Sequence, residues 1–401
     1  MRVTAAVARD EGQPFMLEEL ELDQPRPDEV LVEVHVVGLC RTDISLRDQW
    51  MRIPLPAVLG HEGAGVVARV GADVTKVRPG DKVVMTFGSC GRCRYCESGH
   101  PAYCIELLER NVSGSRPDGT NALHCDEERD EMHGFFISQS SFATHAIASE
   151  RSIVRVADDT DLEKAGPIGC GIQTGAGAVI NRLRPEAGSA IAVFGVGAVG
   201  MASVMAARLV GCSKIIAVDV QPDRLDLARE LGATHLIDAG RVNPISAIQT
   251  MTDGGVAYTV ETTAVPEVAR QAVYSLAPLG TCAILGLGPA GAELSIDMTN
   301  LLLPGRTVTG VTWGDSRPDG LIPQLLELHG QGRFPVDRLI DTYSLMDINQ
   351  AVEDLEAGKC LKAVLKPCPL PARGISAADQ ESRAGRVRTS AMVSDRWPQS
   401  A

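Results

Sequence analysis

Residues 190–211 read AIAVFGVGAVGMASVMAARLVG, an apolar β-type run, then Gly195, Gly197 and Gly200, then a small-residue stretch with no helix breaker. Strand, glycine turn and helix in immediate succession leave few folds open. Gly195 permits a tight turn, Gly197 lets backbone approach a pyrophosphate, and Gly200 allows close helix–strand packing with the helix N-terminus facing the anion. The segment KIIAVDVQPDRLDLARELGATHLID (214–238) repeats strand then helix, with Gly232 as a C-cap and a further strand behind it. VAYTVETTA and TCAILGLG are nearly continuous apolar runs, as expected of parallel strands covered on both faces. That alternation predicts a doubly wound α/β domain over about residues 172–312. Asp219 ends the second strand nineteen residues after Gly200, where a carboxylate accepts hydrogen bonds from both ribose hydroxyls and repels a 2′-phosphate. The next basic residue is Arg224, so NAD is expected rather than NADP.

The N-terminal part has a different rhythm. VLVEVHVVGLC and LGHEGAGVVARVG, then a Pro-Gly-Asp turn in VRPGDKVV, predict short antiparallel strands in a compact β-rich unit. The expected layout is a catalytic domain over 1–171, a cofactor domain over 172–312 and a return to the first domain over 313–368. IPQLLELHGQGRF and INQAVEDLEAG supply helices in that return, and the Ser-, Ala-, Arg- and Pro-rich residues 369–401 read as a disordered tail.

Cys90, Cys93, Cys96 and Cys104 form C-x2-C-x2-C-x7-C. Such spacing lets four thiolates close around one tetrahedral zinc at about 2.3 Å with no open position, which makes a lobe at about 88–106 a structural site. An iron–sulfur cluster also takes four cysteines but uses other spacings, and unmetallated thiols remain the third alternative. Eleven cysteines is an odd number, which excludes complete intramolecular pairing. Cys212, Cys282, Cys360 and Cys368 stand apart and read as packing residues. Cys40 in GLCRTD, His61 opening HEGAG and Cys170 in PIGCGIQTG would together leave zinc one exchangeable position, although periodicity alone does not bring them together.

GLCRTD, GHEGAGVV, the four-cysteine lobe, GCGIQTGAGA and GVGAVG occur in the order and at about the spacing of medium-chain zinc-dependent alcohol dehydrogenases. The resemblance runs over nearly all of residues 1–367. It implies a GroES-like catalytic domain beside a Rossmann domain, a catalytic zinc on Cys40, His61 and Cys170 with water in the fourth position, and Glu62 as an acidic neighbour that approaches the metal during ligand exchange. Zinc lowers the pKa of a bound hydroxyl from the mid-teens toward ~7, and the resulting alkoxide is a far better hydride donor to nicotinamide. By the same resemblance Arg41 contacts the pyrophosphate, Val199 and Leu285 back the nicotinamide, and Thr174 supports its other face. Read without it, these are a surface arginine, core aliphatics and a capping threonine. Thr42 is the hydroxyl that begins proton removal. Many relatives end the relay with a histidine five residues after the zinc cysteine; Ser45 stands there in this chain, which leaves the ribose hydroxyl, His35 or Asp43 as the terminal group.

GFFISQSSFATHA (134–146) and GDSRPDGLIPQLLELHGQGRFPVDRLI (314–340) most resemble the aryl- and allylic-alcohol (benzyl, geraniol type) branch. Oxidation of such a primary alcohol to its aldehyde gives a conjugated product, and a flat substrate suits an apolar cleft. Trp50, Phe87 and Trp313 are cleft candidates that would serve equally as core. The insertion Ile105–His133 holds His124, Cys125 and His133, but its charges and Pro-Asp-Gly turn fit a solvated loop rather than a third metal site. One rival is a thiol-adduct (S-hydroxymethyl) formaldehyde dehydrogenase, which would want basic residues at the cleft mouth; another is a nucleotide-binding sensor without chemistry. Net charge is −13 with acidic and basic residues interspersed, which argues against nucleic acid as a partner. No segment reaches the ~18 apolar residues of a membrane span, and the N-terminus lacks an apolar leader core, so a cytoplasmic protein is expected. The TCAILGLG and TVTGVTW strands offer edges for pairing in a homodimer or homotetramer.

Overall fold

A computed structural model describes residues 1–125 and 131–369. Residues 126–130 of the insertion and 370–401 of the expected tail lie outside the described residues. Contacts divide the chain into two compact units. The first holds Met1–Cys170, Arg317–Leu326 and the chain from Asp337; the second holds Gly171–Ser316 and Glu327–Val336.

The first unit is built on two sheets. In the larger, the order is Ile340–Ser344, Lys362–Lys366, Glu29–Gly38, Glu62–Val70, Lys82–Met85 and Ile153–Arg155, with His145–Ser149 also on Glu29–Gly38. All neighbours but the first pair are antiparallel, as the alternating segments predict. The smaller sheet runs Ala57–Val58, Arg2–Ala8, Met16–Leu22 and Leu123–His124. The C-terminal strand therefore enters beside the strand that ends at Gly38, which carries Lys362 and Cys40 to one end of the sheet. Helix Ile348–Glu356 buries Ile348, Ala351, Val352 and Leu355. That i, i+3, i+4, i+7 stripe contributes about 1.5–3 kcal/mol for each large aliphatic it removes from water.

The second unit is a six-stranded parallel sheet ordered His235–Asp238, Lys214–Asp219, Ala190–Phe194, Val256–Glu261, Leu276–Ile284 and Thr307–Gly310. Counted along the chain this is 3-2-1-4-5-6, the doubly wound dinucleotide-binding order. Its central strands are buried at every residue after the first, in keeping with their largely apolar sequence. Local chemistry sets the helix limits. Pro222 opens Pro222–Leu231 and Gly232, at φ +126°, ends it, while Asn243 accepts the Ile245 and Ser246 amides at the start of Pro244–Thr252.

Candidate functional site

In the first unit, strand Glu29–Gly38 ends one residue before Leu39, and Cys40 precedes the short helix Arg41–Arg47. Asp43, at the third helical position, turns its side chain back: Oδ2 accepts the Cys40 amide at 2.9 Å. Oδ1 accepts the Gly60 amide at 3.1 Å and meets His61 Nδ1 at 2.7 Å. One buried carboxylate thus fixes both the cysteine turn and the tautomer of His61, because Nδ1–H must donate to it. Cys170 closes the set from the far end of the unit, its turn held by Thr86 Oγ1 donating to the Gly169 carbonyl at 2.8 Å. The ligand atoms of Cys40, His61, Glu62 and Cys170 all lie within 4.8 Å of one another. These are residues spread over 131 positions of sequence, brought together by the sheet.

The electrostatics of the group are those of a cation site. His61 Nε2 is buried and makes no hydrogen bond. Burial opposes charge on the imidazole, yet Asp43 holds its pKa well above the ordinary value. The Cys170 thiol donates to Cys40, which drives Cys40 well below a normal thiol, aided by Lys362, while Cys170 is pushed up. Burial lifts Glu62 to about 6 against the pull of Lys362, whose Nζ lies 2.9 Å from Glu62 Oε1 and 3.2 Å from the Leu39 carbonyl. Lys362 itself is held above its usual value by Glu62 and Cys40 despite burial. Two thiols, an imidazole with a free inward nitrogen and a carboxyl fit Zn²⁺.

Thr42 Oγ1 lies 3.6 Å from Cys40 Sγ, beside the group. Ser45 sits one turn on, half-buried, where its carbonyl accepts the Trp50 amide. His35 is exposed on its strand and faces Glu33 at 3.9 Å, and Asp43 is committed to His61, so neither is placed as a terminal relay group. Arg41 is exposed and reaches the Leu355 carbonyl at 3.4 Å. Trp50 is half-buried and Phe87 is buried in the first unit, whereas Trp313 belongs to the second.

The second ligand group is Cys90, Cys93, Cys96 and Cys104. Cys93 and Cys96 sulfurs are 3.5 Å apart, Cys90 and Cys96 4.0 Å, and the Cys90 amide donates to Cys104 Sγ at 3.2 Å. Four converging thiols with no carboxylate among them match a closed zinc site. His124, Cys125 and His133 join neither group. His124 pairs with Asp23 at 3.0 Å, and Cys125 meets Arg9 at 3.9 Å.

In the second unit the glycine turn has the geometry its sequence requires. Gly195 is at φ +81°, and a Cβ there would come within 2.6 Å of Thr263. A Cβ on Gly200 would lie 1.9 Å from the Gly195 carbonyl oxygen, whereas one on Gly197 would meet nothing within 4 Å. That open cradle at the start of helix Ala198–Leu209 has the room and the amide donors a pyrophosphate would need. Asp219 ends its strand as expected and also braces the turn: Oδ2 accepts the Val196 amide at 2.8 Å, and Oδ1 accepts Val220 and Gln221 amides at 2.8 and 3.0 Å. Val199, Thr174, Arg224 and Leu285 are half-buried in this unit, and the Leu285 amide donates to the Glu261 carbonyl.

Residues 198–329 match the zinc-binding dehydrogenase family, and residues 26–158 match the alcohol dehydrogenase GroES-like domain. The chain belongs to the zinc-dependent medium-chain alcohol dehydrogenases, in the aryl and allylic branch. It is 41% identical to a geraniol dehydrogenase of Castellaniella defragrans over 90% of this chain and 96% of that one. A solved alcohol dehydrogenase zinc-binding domain protein from Burkholderia ambifaria is 50% identical, with a TM-score of 0.89 over 91% of this chain and 99% of its own. The benzyl alcohol dehydrogenase of Acinetobacter calcoaceticus is 44% identical, with a TM-score of 0.89 over 92% of this chain and 100% of that one. Among the described residues no helix is long and apolar enough to cross a membrane.

Sequence reasoning missed Lys362 and gave Asp43 a different task in the thiol–imidazole group. Lys362 opens the strand Lys362–Lys366, a position visible in CLKAVLK but silent about its partner. Asp43 was read from the sequence as a possible end of the proton relay, whereas its carboxylate holds the His61 ring.

Proposed function

We propose that this enzyme oxidises primary aryl or allylic alcohols to aldehydes with NAD, using zinc held by Cys40, His61 and Cys170. The observation that carries it is the convergence of those three donors with Glu62, Cys40 and Cys170 half-buried and His61 buried with no hydrogen bond at Nε2. Zinc in this site supplies a Lewis acid that makes an alcohol hydroxyl acidic near neutrality, and the nicotinamide supplies the hydride acceptor. The chain's residues do the rest. Asp43 orients the imidazole, Lys362 balances the charge of Glu62, and Thr42 takes the alcohol proton onto its own oxygen while passing on its own. Ser45 does not titrate near neutrality and does not end the relay, so the proton would leave Thr42 toward water.

The similarity to geraniol and benzyl alcohol dehydrogenases supports the substrate class. Asp219, whose strand-end carboxylate disfavours a 2′-phosphate, supports NAD. Eleven free thiols suit the reducing cytoplasm. A second copy of this chain is the partner we propose for the outer strand Thr307–Gly310, which among the described residues pairs on one side. Near it Leu279, Met298, Leu302 and Leu303 are 76–86% exposed, an apolar surface a monomer rarely leaves open.

Metal analysis and an initial-rate screen test the reading. Two zincs per chain are expected, with NAD reduced by benzyl alcohol and geraniol, weakly with NADP, and a dimer or larger assembly in light scattering. A single zinc per chain, or turnover only on formaldehyde with a low-molecular-weight thiol, would overturn it.

A further inference from the structure

The segment Phe135–Ser140 holds an unusual backbone. Phe135, Ile137, Ser138 and Ser140 have φ of +57°, +46°, +57° and +53°. For a β-branched residue such as Ile137 this region is a true outlier, and it persists only where surrounding contacts over-determine it. The contacts are on both sides. Toward the insertion, Ser138 Oγ donates to the Arg110 carbonyl at 2.9 Å, and the Phe135 ring lies under the Arg116 guanidinium at 5.1 Å. Arg116 in turn is buried against Glu29 at 2.7 Å.

Toward the metal-binding group the grip is tighter. Ser140 Oγ donates to the Val58 carbonyl at 2.6 Å, and the Phe142 and Ser141 amides donate to the Leu59 and Gly60 carbonyls at 3.0 and 2.9 Å. The Phe136 ring meets the His61 ring edge-on, centroids 5.2 Å apart at 83°. Gln139 spans the metal residues themselves: Nε2 donates to the His61 carbonyl at 2.9 Å, and Oε1 accepts the Gly63 amide at 3.1 Å. Ser141 Oγ donates to the same Oε1 at 2.9 Å, which fixes the amide's orientation. Gln139 is 2% exposed, so no water competes for these bonds. Asp43 secures the imidazole; Gln139 secures the main chain on either side of Glu62.

We propose that Gln139 is a positioning residue for the zinc site, and that the segment Phe135–Ser140, left-handed at four of its six residues, aims it, tying the backbone of His61 and Gly63 to the insertion. An extended or helical segment would send Ser138, Gln139 and Ser140 to other faces, and one six-residue stretch would not reach Arg110, His61 and Val58 together. The inference rests on the reading that Cys40, His61 and Cys170 hold zinc.

The test is zinc release from the fully loaded protein into an excess of a chromogenic chelator, resolved into two phases. Gln139→Met keeps the length and removes every hydrogen bond; Gln139→Glu keeps the acceptor and removes the donor to His61. Gln139→Met should release the buried-site zinc about tenfold or more faster, the usual scale for losing a group that orients a ligand, and leave the lobe zinc at its wild-type rate. Gln139→Glu should fall between, and carries the test if the methionine variant does not fold. A purely structural role would lower the melting temperature while leaving the ratio of the two release rates unchanged, and that result overturns the proposal. A wild-type protein with one zinc would instead overturn the underlying reading before either variant is made.

Discussion

The two units build their sites from different materials. In the first unit the site is made of side chains: two thiols, an imidazole and three buried charges, Asp43, Glu62 and Lys362, each matched to a partner. In the second unit it is made of backbone and space: a left-handed glycine, an open cradle over Gly197 and the start of a helix. A metal must be seized by soft donors at fixed distances, which needs side chains held from several directions. A pyrophosphate needs amide donors and room, which a single turn supplies. Removing one atom should therefore cost chemistry in the first unit and affinity in the second.

The largest effect should come from Cys170→Ser. Turnover should drop on the order of 10³-fold, since several kcal/mol of Lewis-acid stabilisation go with the metal. Zinc analysis should find one ion lost, with NAD titration of the variant unchanged. A variant that kept both zincs would show that three donors are not what holds the metal. Thr42→Ala should follow at about 10²-fold in turnover with metal content intact. If turnover is unchanged while a deuterated substrate shows hydride transfer to be rate-limiting, Thr42 is no part of proton removal.

That difference in material also explains what could be read from sequence. The glycine turn and the lobe Cys90–Cys104 are local: spacing within about a dozen residues fixes their geometry, so residue order alone exposes them. The parallel sheet was legible for the same reason, through its largely apolar strands and the Gly232 stop. Cys40, His61 and Cys170 were legible only through resemblance, because their meeting depends on how Glu29–Gly38 pairs with Glu62–Val70 and on the Thr86 bond that holds the Gly169 turn. Lys362, Asp43 and Gln139 had still weaker signals. A lysine opening a strand, an aspartate in a turn and a glutamine in a polar run each have a common surface reading, and only burial reverses it. Asp219 was read as a cofactor ligand, and its second task of bracing the Val196 amide appears only in three dimensions.

For the second unit, Gly197→Ala and Gly200→Ala separate space from structure. A methyl on Gly197 touches nothing within 4 Å, so folding should be untouched while NAD binds roughly tenfold more weakly, ~1.4 kcal/mol, by calorimetry. A methyl on Gly200 would press to 1.9 Å on the Gly195 carbonyl oxygen, so the turn must move and thermal stability should fall as well. Equal NAD affinity in wild type and Gly197→Ala would mean that the cradle is not where the phosphates sit.

The smallest effect tests the matching of buried charge. Glu62 has Lys362, but Glu261, fully buried at the end of its strand beside the glycine turn, has no cation partner among the described residues. Its Oε1 accepts the Thr263 amide at 2.6 Å and the Thr263 hydroxyl, and its Oε2 has no partner. Burial pushes its pKa from 4.5 up to about 7. Below about pH 4.5 the folded and unfolded chains both hold the proton, and the group is neutral to stability. Between about pH 4.5 and 7 the unfolded chain gives up the proton first, so stability falls as pH rises, and above about 7 the full penalty of roughly 3 kcal/mol persists. Glu261→Gln keeps the shape and removes the charge. It should melt ~5 °C above wild type at pH 8, with the gap narrowing toward pH 5. A gap that stays constant across that range would show that Glu261 ionises freely in the folded unit, and that the second unit tolerates an unpaired buried charge which the first unit everywhere pairs.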